Sequence, residues 1–561
     1  MYNKIYSLLI PFLMITVFAA CETTTEPEED TTETAAEIVQ DAENHNDEDD
    51  YTWNEGDEVN VILEDNNILI TGNGASATDN SVTITAEGTY NFSGTLSDGQ
   101  IIVNSEDDEI VRLVLNGVNI NCANSAPIYF KNADKGMIVL TENTENYISD
   151  GTSYIFDDSE NKEPNAAIFC KTDLTISGEG SLTVKGNFND GIVSKDGLII
   201  TSGTINVNAV DDAIRGKDYL VIYNGNLTLD ADGVGLKSDN TNDASLGYIT
   251  IENGVINISS GGEGIEAEKD VAISSGEITI SSSGKGINGI VNTEIGGGNI
   301  NITSVDDAIH SNGTVTINNG TITISSNDDA IHADYDLVIN DGYINITKSY
   351  EGIESSNGNI TINGGEIHLI SSDDGFNLAA SGSVEPGSSA GNYYLNINGG
   401  YIAVNASGDG VDANASVVMS DGYLIVSGST ASNNSALDYD GSFAMNGGFM
   451  VATGTSRMAE APSTSSSQNS ILINFNTTLS AGSIIYIETE SGEEIVALSP
   501  VKSYQSIALS SPLLEKNKSY TVYTGGSYSG TITDGVYSGG SYTSGTNYTS
   551  FTISSTVTSI N

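Results

Sequence analysis

The chain has 561 residues, with 18 Lys and Arg against 76 Asp and Glu, a formal net charge of −58. Charge this negative repels nucleic acid and anionic membrane at long range, which excludes both as partners of the body. Sixty-one glycines, only eight prolines, and an abundance of Asn, Ser, Thr, Ile and Val describe strands and turns with little helix.

Residues 1–20 read as a signal peptide. Lys4 is its charged flank and Leu8 to Ala20 its apolar stretch, too short to span a bilayer. Phe18-Ala19-Ala20-Cys21 resembles a lipobox, so Cys21 is the expected lipidation site of an extracytoplasmic, membrane-anchored lipoprotein, held at the cell surface only through that lipid. Residues 21–50 are acidic, rich in Thr and without apolar period, the composition of a disordered tether. Residues 51–125 carry strand-like runs such as Val59–Leu63 and Ser81–Ile84, and form an N-terminal cap and the first coils. Cys122 and Cys170 fall at different places relative to the repeat and read as buried thiols.

From 126 to 456 a short motif recurs about every 22 residues. It reads Asn-Asp-Gly-Ile at 189–192, Asp-Asp-Ala-Ile at 211–214, 306–309 and 328–331, Glu-Gly-Ile at 263–265 and 351–353, and Asp-Asp-Gly-Phe at 373–376. The central small residue falls at 191, 213, 233, 264, 286, 308, 330, 352, 375, 410 and 436. Between motifs, apolar residues alternate with Thr or Asn, as in Val315 and Ile317, then Ile322 and Ile324 after the turn Asn318-Asn319-Gly320. Alternation of period two means strand with one face inward. About three short strands per repeat predict an all-β, right-handed parallel β-helix, the hand following the usual crossover rule. Residues 457–469 are a Ser/Thr/Pro-rich linker, and 470–561 read as an antiparallel β module that caps the open end.

Repeats turn single residues into files. Asp211, Asp212, Asp306, Asp307, Asp328, Asp329, Asp373 and Asp374, with Glu351 and Glu354, form an acidic ladder, and His310 and His332 stand near its centre. Two carboxylates about 5 Å apart repel by about 3 kcal/mol at an effective dielectric of 20, so stacked pairs call for a cation, and oxygen donors suit Ca²⁺. A single such Asp is better explained as a solvated turn residue, whereas the ladder as a whole points to bound Ca²⁺. Lys171, Lys195, Lys217 and Lys237, each four places after a small residue and with Arg215 beside them, form a basic ladder. It would either hold the carboxylates of a polyuronate or neutralise Asp190, Asp196, Asp212 and Asp218. Tyr343, Tyr401 and Tyr423, continued by Phe449, form an aromatic column suited to stacking on sugars or to packing under the inserted loop 379–393. Gly387-Ser388-Ser389-Ala390-Gly391 matches a hydrolase elbow but lacks strand–turn–helix context.

The Asp-Asp-Ala-Ile-His and Gly-Ile-Glu-Ala coils, followed by Arg457-Met458-Ala459-Glu460-Ala461-Pro462-Ser463 and the Gly-Ser-Tyr-rich tail, resemble a bacterial family of carbohydrate-binding β-helix proteins. The resemblance spans about 110 to 561. It implies binding of cellulose and acidic plant polysaccharide such as polygalacturonate (pectin), bound Ca²⁺, and kinship with family 9 pectate lyases. The expected function is therefore a monomeric surface binder of polysaccharide. A Ca²⁺-dependent lyase, with Lys217 or Lys237 as base and Arg215 in support, and a non-catalytic adhesin or spacer are the alternatives.

Overall fold

The computed structural model describes residues 44–65, 67–156, 162–379, 393–543 and 545–561. Cys21, the signal peptide, most of the tether and the elbow-like 387–391 lie outside the described residues.

Each coil contributes three strands, here taken from the middle of the stack. Ile287–Gly289 is a short strand, Asn292–Ile295 a middle strand and Asn299–Ser304 a long strand. Each pairs in parallel with its counterpart one coil on: Ile287 faces Ile309, Ile295 faces Ile317, and Ile300 faces Ile322. The short strands stack into one 16-stranded sheet running from Ala75–Thr78 to Leu437–Tyr439. Like meets like at about 4.8 Å, so Ile256, Ile278, Ile300, Ile322, Ile344 and Ile367 form one fully buried interior file. Each buried Ile contributes about 1.5–3 kcal/mol, which accrues only with a neighbour above and below.

Two features set the register. Between middle and long strands a tight turn requires positive φ, as at Gly320 (φ 124°), and the same turn recurs as glycine at 298 and 342. At the mouth of most short strands there is room for almost no side chain. A Cβ on Gly264 would lie 2.4 Å from Ile280 Cγ2 and 2.6 Å from Gly286 O. This crowding explains the Gly/Ala marker.

The ends are closed differently. At the start, Val59–Leu63 pairs with Gly88–Leu96 in parallel and with Leu69–Thr71 antiparallel. Residues 44–50, expected in the free tether, instead pack on the coils. His45 hydrogen-bonds Tyr219 (2.7 Å) and Thr175 (2.9 Å), and Asp50 pairs with Lys135 (2.5 Å). At the far end, Phe449–Gly454 of the last coil pairs antiparallel with Tyr504–Ser510, which pairs on its other side with Ser470–Leu479. A second, six-stranded antiparallel sheet completes this C-terminal module, with its own core around Ile485, Val496 and Val522. Cys122 and Cys170 are free and buried. Among the described residues no helix is long and apolar enough to cross a membrane.

Candidate functional site

The short-strand sheet carries the charged files. Strand pairing aligns the residue after each buried apolar residue, most often Ile, into one outward file: Tyr129, Phe169, Val193, Arg215, Lys237, Glu266, Asn288, His310, His332, Glu354, Asn377, Asp412, Asp438. Its chemistry changes from aromatic and aliphatic, through cationic and imidazole, to acidic along the axis. The residue before each small marker forms a second file, with Asp190, Asp212, Asp307, Asp329, Glu351, Asp374 and Asp409 among its members.

The aspartates of this second file split the work of their two oxygens. One oxygen accepts the backbone N–H of the equivalent residue one coil on: Asp190 from Asp212 (3.3 Å), Asp212 from Val234 (3.0 Å), Asp307 from Asp329 (3.2 Å), Asp329 from Glu351 (3.3 Å) and Asp374 from Asp409 (2.6 Å). The other oxygen, Oδ2, is left for something else. In Asp190 it meets Arg215 (2.6 Å), in Asp212 Lys237 (3.5 Å) and in Asp307 Lys285 (2.7 Å). Asp374 Oδ2 and Asp409 Oδ2 have no hydrogen-bond or ion-pair partner among the described residues. The turn-capping account of the acidic ladder thus describes one oxygen, while the other meets a Lys or Arg where the neighbouring coils supply one.

The structure corrects the basic ladder. Leu236 pairs with Ile265 and Ile214 donates its N–H to Gly235 O, so the small marker of that coil is Gly235, not Gly233, and Val234, not Asp232, precedes it. Lys237 therefore stands in the Arg215 file, not with the other lysines. The true file is Lys131, Lys171, Lys195 and Lys217, because Cys170 pairs with Phe130 and with Ser194, and Ser194 with Gly216. Lys131 was invisible in the sequence because Pro127 fills the small slot of its coil.

Neutralisation follows the expectation in part, with Lys237 on Asp212 and Lys217 on Asp218, while Lys171 and Lys195 take another partner. Glu163 bridges Lys171 and Lys195, 3.1 Å from each. Lys217 is 3.7 Å from Asp218, and Arg215 is clamped between Asp190 and Asp239. Lys131 is exposed and makes no ion pair among the described residues. Beside it lies a cleft of about 400 Å³ lined by Gln100, Ile102, Tyr129, Lys131, Glu163 and Lys171. Tyr129 stands edge-on to Phe169 at 5.8 Å, giving the cleft an aromatic wall.

Burial works to lower the Lys237 pKa, but Asp212 and Glu266 outweigh it and hold the ammonium above its ordinary value. That is the reverse of what a proton-abstracting lysine needs.

The acidic end has the opposite character. Asp374, Asp409 and Asp412 bring carboxylate oxygens within 4.8 Å of one another, as do Asp190, Asp211 and Asp212, and Asp306, Asp307 and Asp328. No lysine or arginine pairs with the Asp374 group among the described residues. Burial, with Asp374 and Asp438 adding repulsion, pushes Asp412 up to about 8, and burial pushes Asp374 up to about 6. Glu354 is raised by burial and by the neighbouring carboxylates of Glu351 and Asp329. Gly408 makes room for the doublet beneath it, since a Cβ there would lie 2.3 Å from Asp374 Oδ1 and 2.4 Å from Asp373 Oδ1. An all-oxygen, uncompensated cluster fits a hard cation such as Ca²⁺.

The aromatic column exists, on the long strands: Tyr343, Glu366, Tyr401, Tyr423 and Phe449 are in register. Its cover is the C-terminal module. Tyr401 donates to Asp534 Oδ2 (2.8 Å), and Tyr401 and Phe449 pack on the module core. Tyr343 and Tyr423 remain exposed, at 40% and 53%. The column lies on a different strand file from the lysines and carboxylates.

Residues 78–330 match the model of a family described as carbohydrate-binding domain-containing protein. A relative from Acetivibrio thermocellus with the same description is 44% identical over 156 residues, which is 28% of this chain and 54% of that protein. The chain thus spans about half the length of the curated relative it matches. A solved structure described as a polysaccharide lyase-like protein from C. thermocellum, gadolinium derivative, is 32% identical. It covers 46% of this chain and 96% of its own, at a TM-score of 0.39.

Proposed function

We propose that this protein binds an acidic plant cell-wall polysaccharide, polygalacturonate being the model ligand, along the short-strand face without cleaving it. The observation that carries the reading is the lysine file beside an aromatic-walled cleft, within a segment matched by a carbohydrate-binding family model. Successive coils present Lys131, Lys171, Lys195 and Lys217 at about 4.8 Å, close to the advance of an extended sugar chain. In a body of charge −58, such a file is where a polyanion can approach. Cellulose, the other expected ligand, lacks the carboxylates that would engage these lysines. Ca²⁺ belongs to the reading at the carboxylate clusters, with Asp374, Asp409 and Asp412 the best fit. The chain would act as a monomer at the cell surface, anchored through Cys21.

The test is affinity electrophoresis through polygalacturonate with Ca²⁺ present. Wild type is expected to be retarded, and the combined Lys131→Ala, Lys171→Ala and Lys195→Ala variant is expected to run free. Retention of that variant would retire the lysine file. No unsaturated, near-ultraviolet-absorbing product is expected; its formation would favour a lyase.

A further inference from the structure

At the centre of the acidic ladder the donors change from oxygen to nitrogen. We propose that Asp307, His310, Asp329 and His332 form a binding site for a divalent transition metal of the zinc class, separate from the all-carboxylate sites. The proposal does not depend on the carbohydrate reading.

The four groups converge from two successive coils. His310 Nε2 and His332 Nδ1 each lie 3.8 Å from Asp307 Oδ2, and His332 Nδ1 lies 3.4 Å from Asp329 Oδ2. Metal–nitrogen and metal–oxygen bonds of about 2.0–2.2 Å in a tetrahedral site separate neighbouring ligands by roughly 3.3–3.5 Å. Asp307, His310 and His332 offer ligand atoms within 4.8 Å of one another, and Asp329 joins them through His332, so side-chain adjustment without backbone movement closes them on an ion. The two imidazoles are 5.0 Å apart at 82°, edge to face, so they do not stack and their nitrogens can point to one place.

Second contacts hold both rings in the ligating orientation. His310 Nδ1 lies 3.1 Å from Asn288 Oδ1. An amide oxygen only accepts, so Nδ1 carries the proton and Nε2 presents its lone pair toward Asp307. His332 Nε2 lies 3.0 Å from Ser356 Oγ, which frees Nδ1 for the carboxylates. Asp307 is steadied by the Asp329 N–H on Oδ1, leaving Oδ2 to ligate. His310 is 7% exposed, yet its Nε2 has no hydrogen-bond partner among the described residues. At 3.8 Å the His310 Nε2 and Asp307 Oδ2 are too far apart for a hydrogen bond and close enough to share one ion. Two imidazoles with carboxylates suit zinc and its neighbours, whereas Ca²⁺ takes oxygen donors.

Lys285 is a resident rival. Its Nζ lies 2.7 Å from Asp307 Oδ2 and 3.4 Å from Asp306 Oδ2. An arriving ion would displace the ammonium toward Asp306, so the lysine sets the affinity of the site.

The experiment is titration of the chelator-stripped full chain with Zn²⁺, followed by calorimetry, and with Co²⁺, followed by its visible ligand-field absorption, both in excess Ca²⁺ to fill the oxygen-only sites. One tightly bound ion per chain is expected, with the Co²⁺ spectrum of a four-coordinate nitrogen–oxygen site. The combined His310→Ala and His332→Ala variant should lose it, and Asn288→Ala should weaken it roughly 10- to 100-fold. Lys285→Met should tighten it. Absence of uptake in excess Ca²⁺, or uptake by the double-histidine variant equal to wild type, overturns the proposal. Should that variant fail to fold, Lys285→Met decides: tighter binding supports the site, and unchanged or weaker binding contradicts it.

Discussion

The two ends of the short-strand face share one backbone and differ in nearly everything else. Toward the start, around Tyr129 to Lys217, the outward files are aromatic, aliphatic and cationic, and most carboxylates nearby are paired to Lys or Arg. Toward the end, around Glu351 to Asp438, the same positions hold carboxylates without Lys or Arg partners among the described residues, several with a pKa raised by burial. A coil specifies its position in the stack through a small residue and a buried Ile, which leaves the outward positions free to vary. Ligand chemistry can therefore be written along the axis without touching the fold.

That contrast can be attacked at several strengths. The largest effect is expected at the acidic end. Changing Asp374, Asp409 and Asp412 together to Asn should abolish the rise in Tm that Ca²⁺ gives the wild type. That rise should be worth about 2.7 kcal/mol at a hundredfold excess over Kd, as read by thermal melts with and without chelator. An unaltered Ca²⁺ response would move the ion elsewhere.

Next comes pH. The Asp412 carboxyl is raised to about 8, so between pH 6.5 and 8 the folded chain holds a proton that the unfolded chain has lost. Stability of the chelated protein should then fall as pH rises through that window, and Asp412→Asn should flatten the slope. The window lies above the one in which His310, lowered to about 4 from 6.5 chiefly by burial, acts in the opposite sense. The measurement is denaturant unfolding at a series of pH values.

At the other end, Tyr129→Ala should weaken polygalacturonate binding by up to about tenfold, the scale of a lost stacking contact of roughly 0.5–1.5 kcal/mol, as read by calorimetry. The smallest effect is expected for Lys217→Ala, which removes a partly exposed pair at 3.7 Å from Asp218 and should change stability by less than about 0.5 kcal/mol.

The parallel stack, its three strands per coil and the antiparallel C-terminal module were legible from the sequence because period-two alternation and the Gly/Ala marker each report a single steric fact. Register was harder where the marker was ambiguous. Gly233-Val234-Gly235 offers two candidates, and only the hydrogen bond from Ile214 N–H to Gly235 O chooses between them, which moves Lys237 out of the lysine file. Pro127 hid Lys131 in the same way. The acidic doublets were readable as a ladder, but the division between a structural Oδ1 and an available Oδ2 depends on a backbone N–H from the next coil, which no single-coil motif encodes. Partners from distant or irregular segments were also beyond reach: Glu163 between Lys171 and Lys195, His45 on Tyr219, and Asp534 over Tyr401.

The central claim is that the two ends of one face do different chemistry, and calorimetric titration of polygalacturonate into two variants at matched Ca²⁺ tests it most directly. With Lys131, Lys171 and Lys195 changed to Ala, sugar binding should vanish while the Ca²⁺ stabilisation stays; with Asp374, Asp409 and Asp412 changed to Asn, the Ca²⁺ stabilisation should vanish while sugar still binds the lysine file. Equal loss of both properties in both variants, or full sugar affinity in the lysine variant, would contradict it.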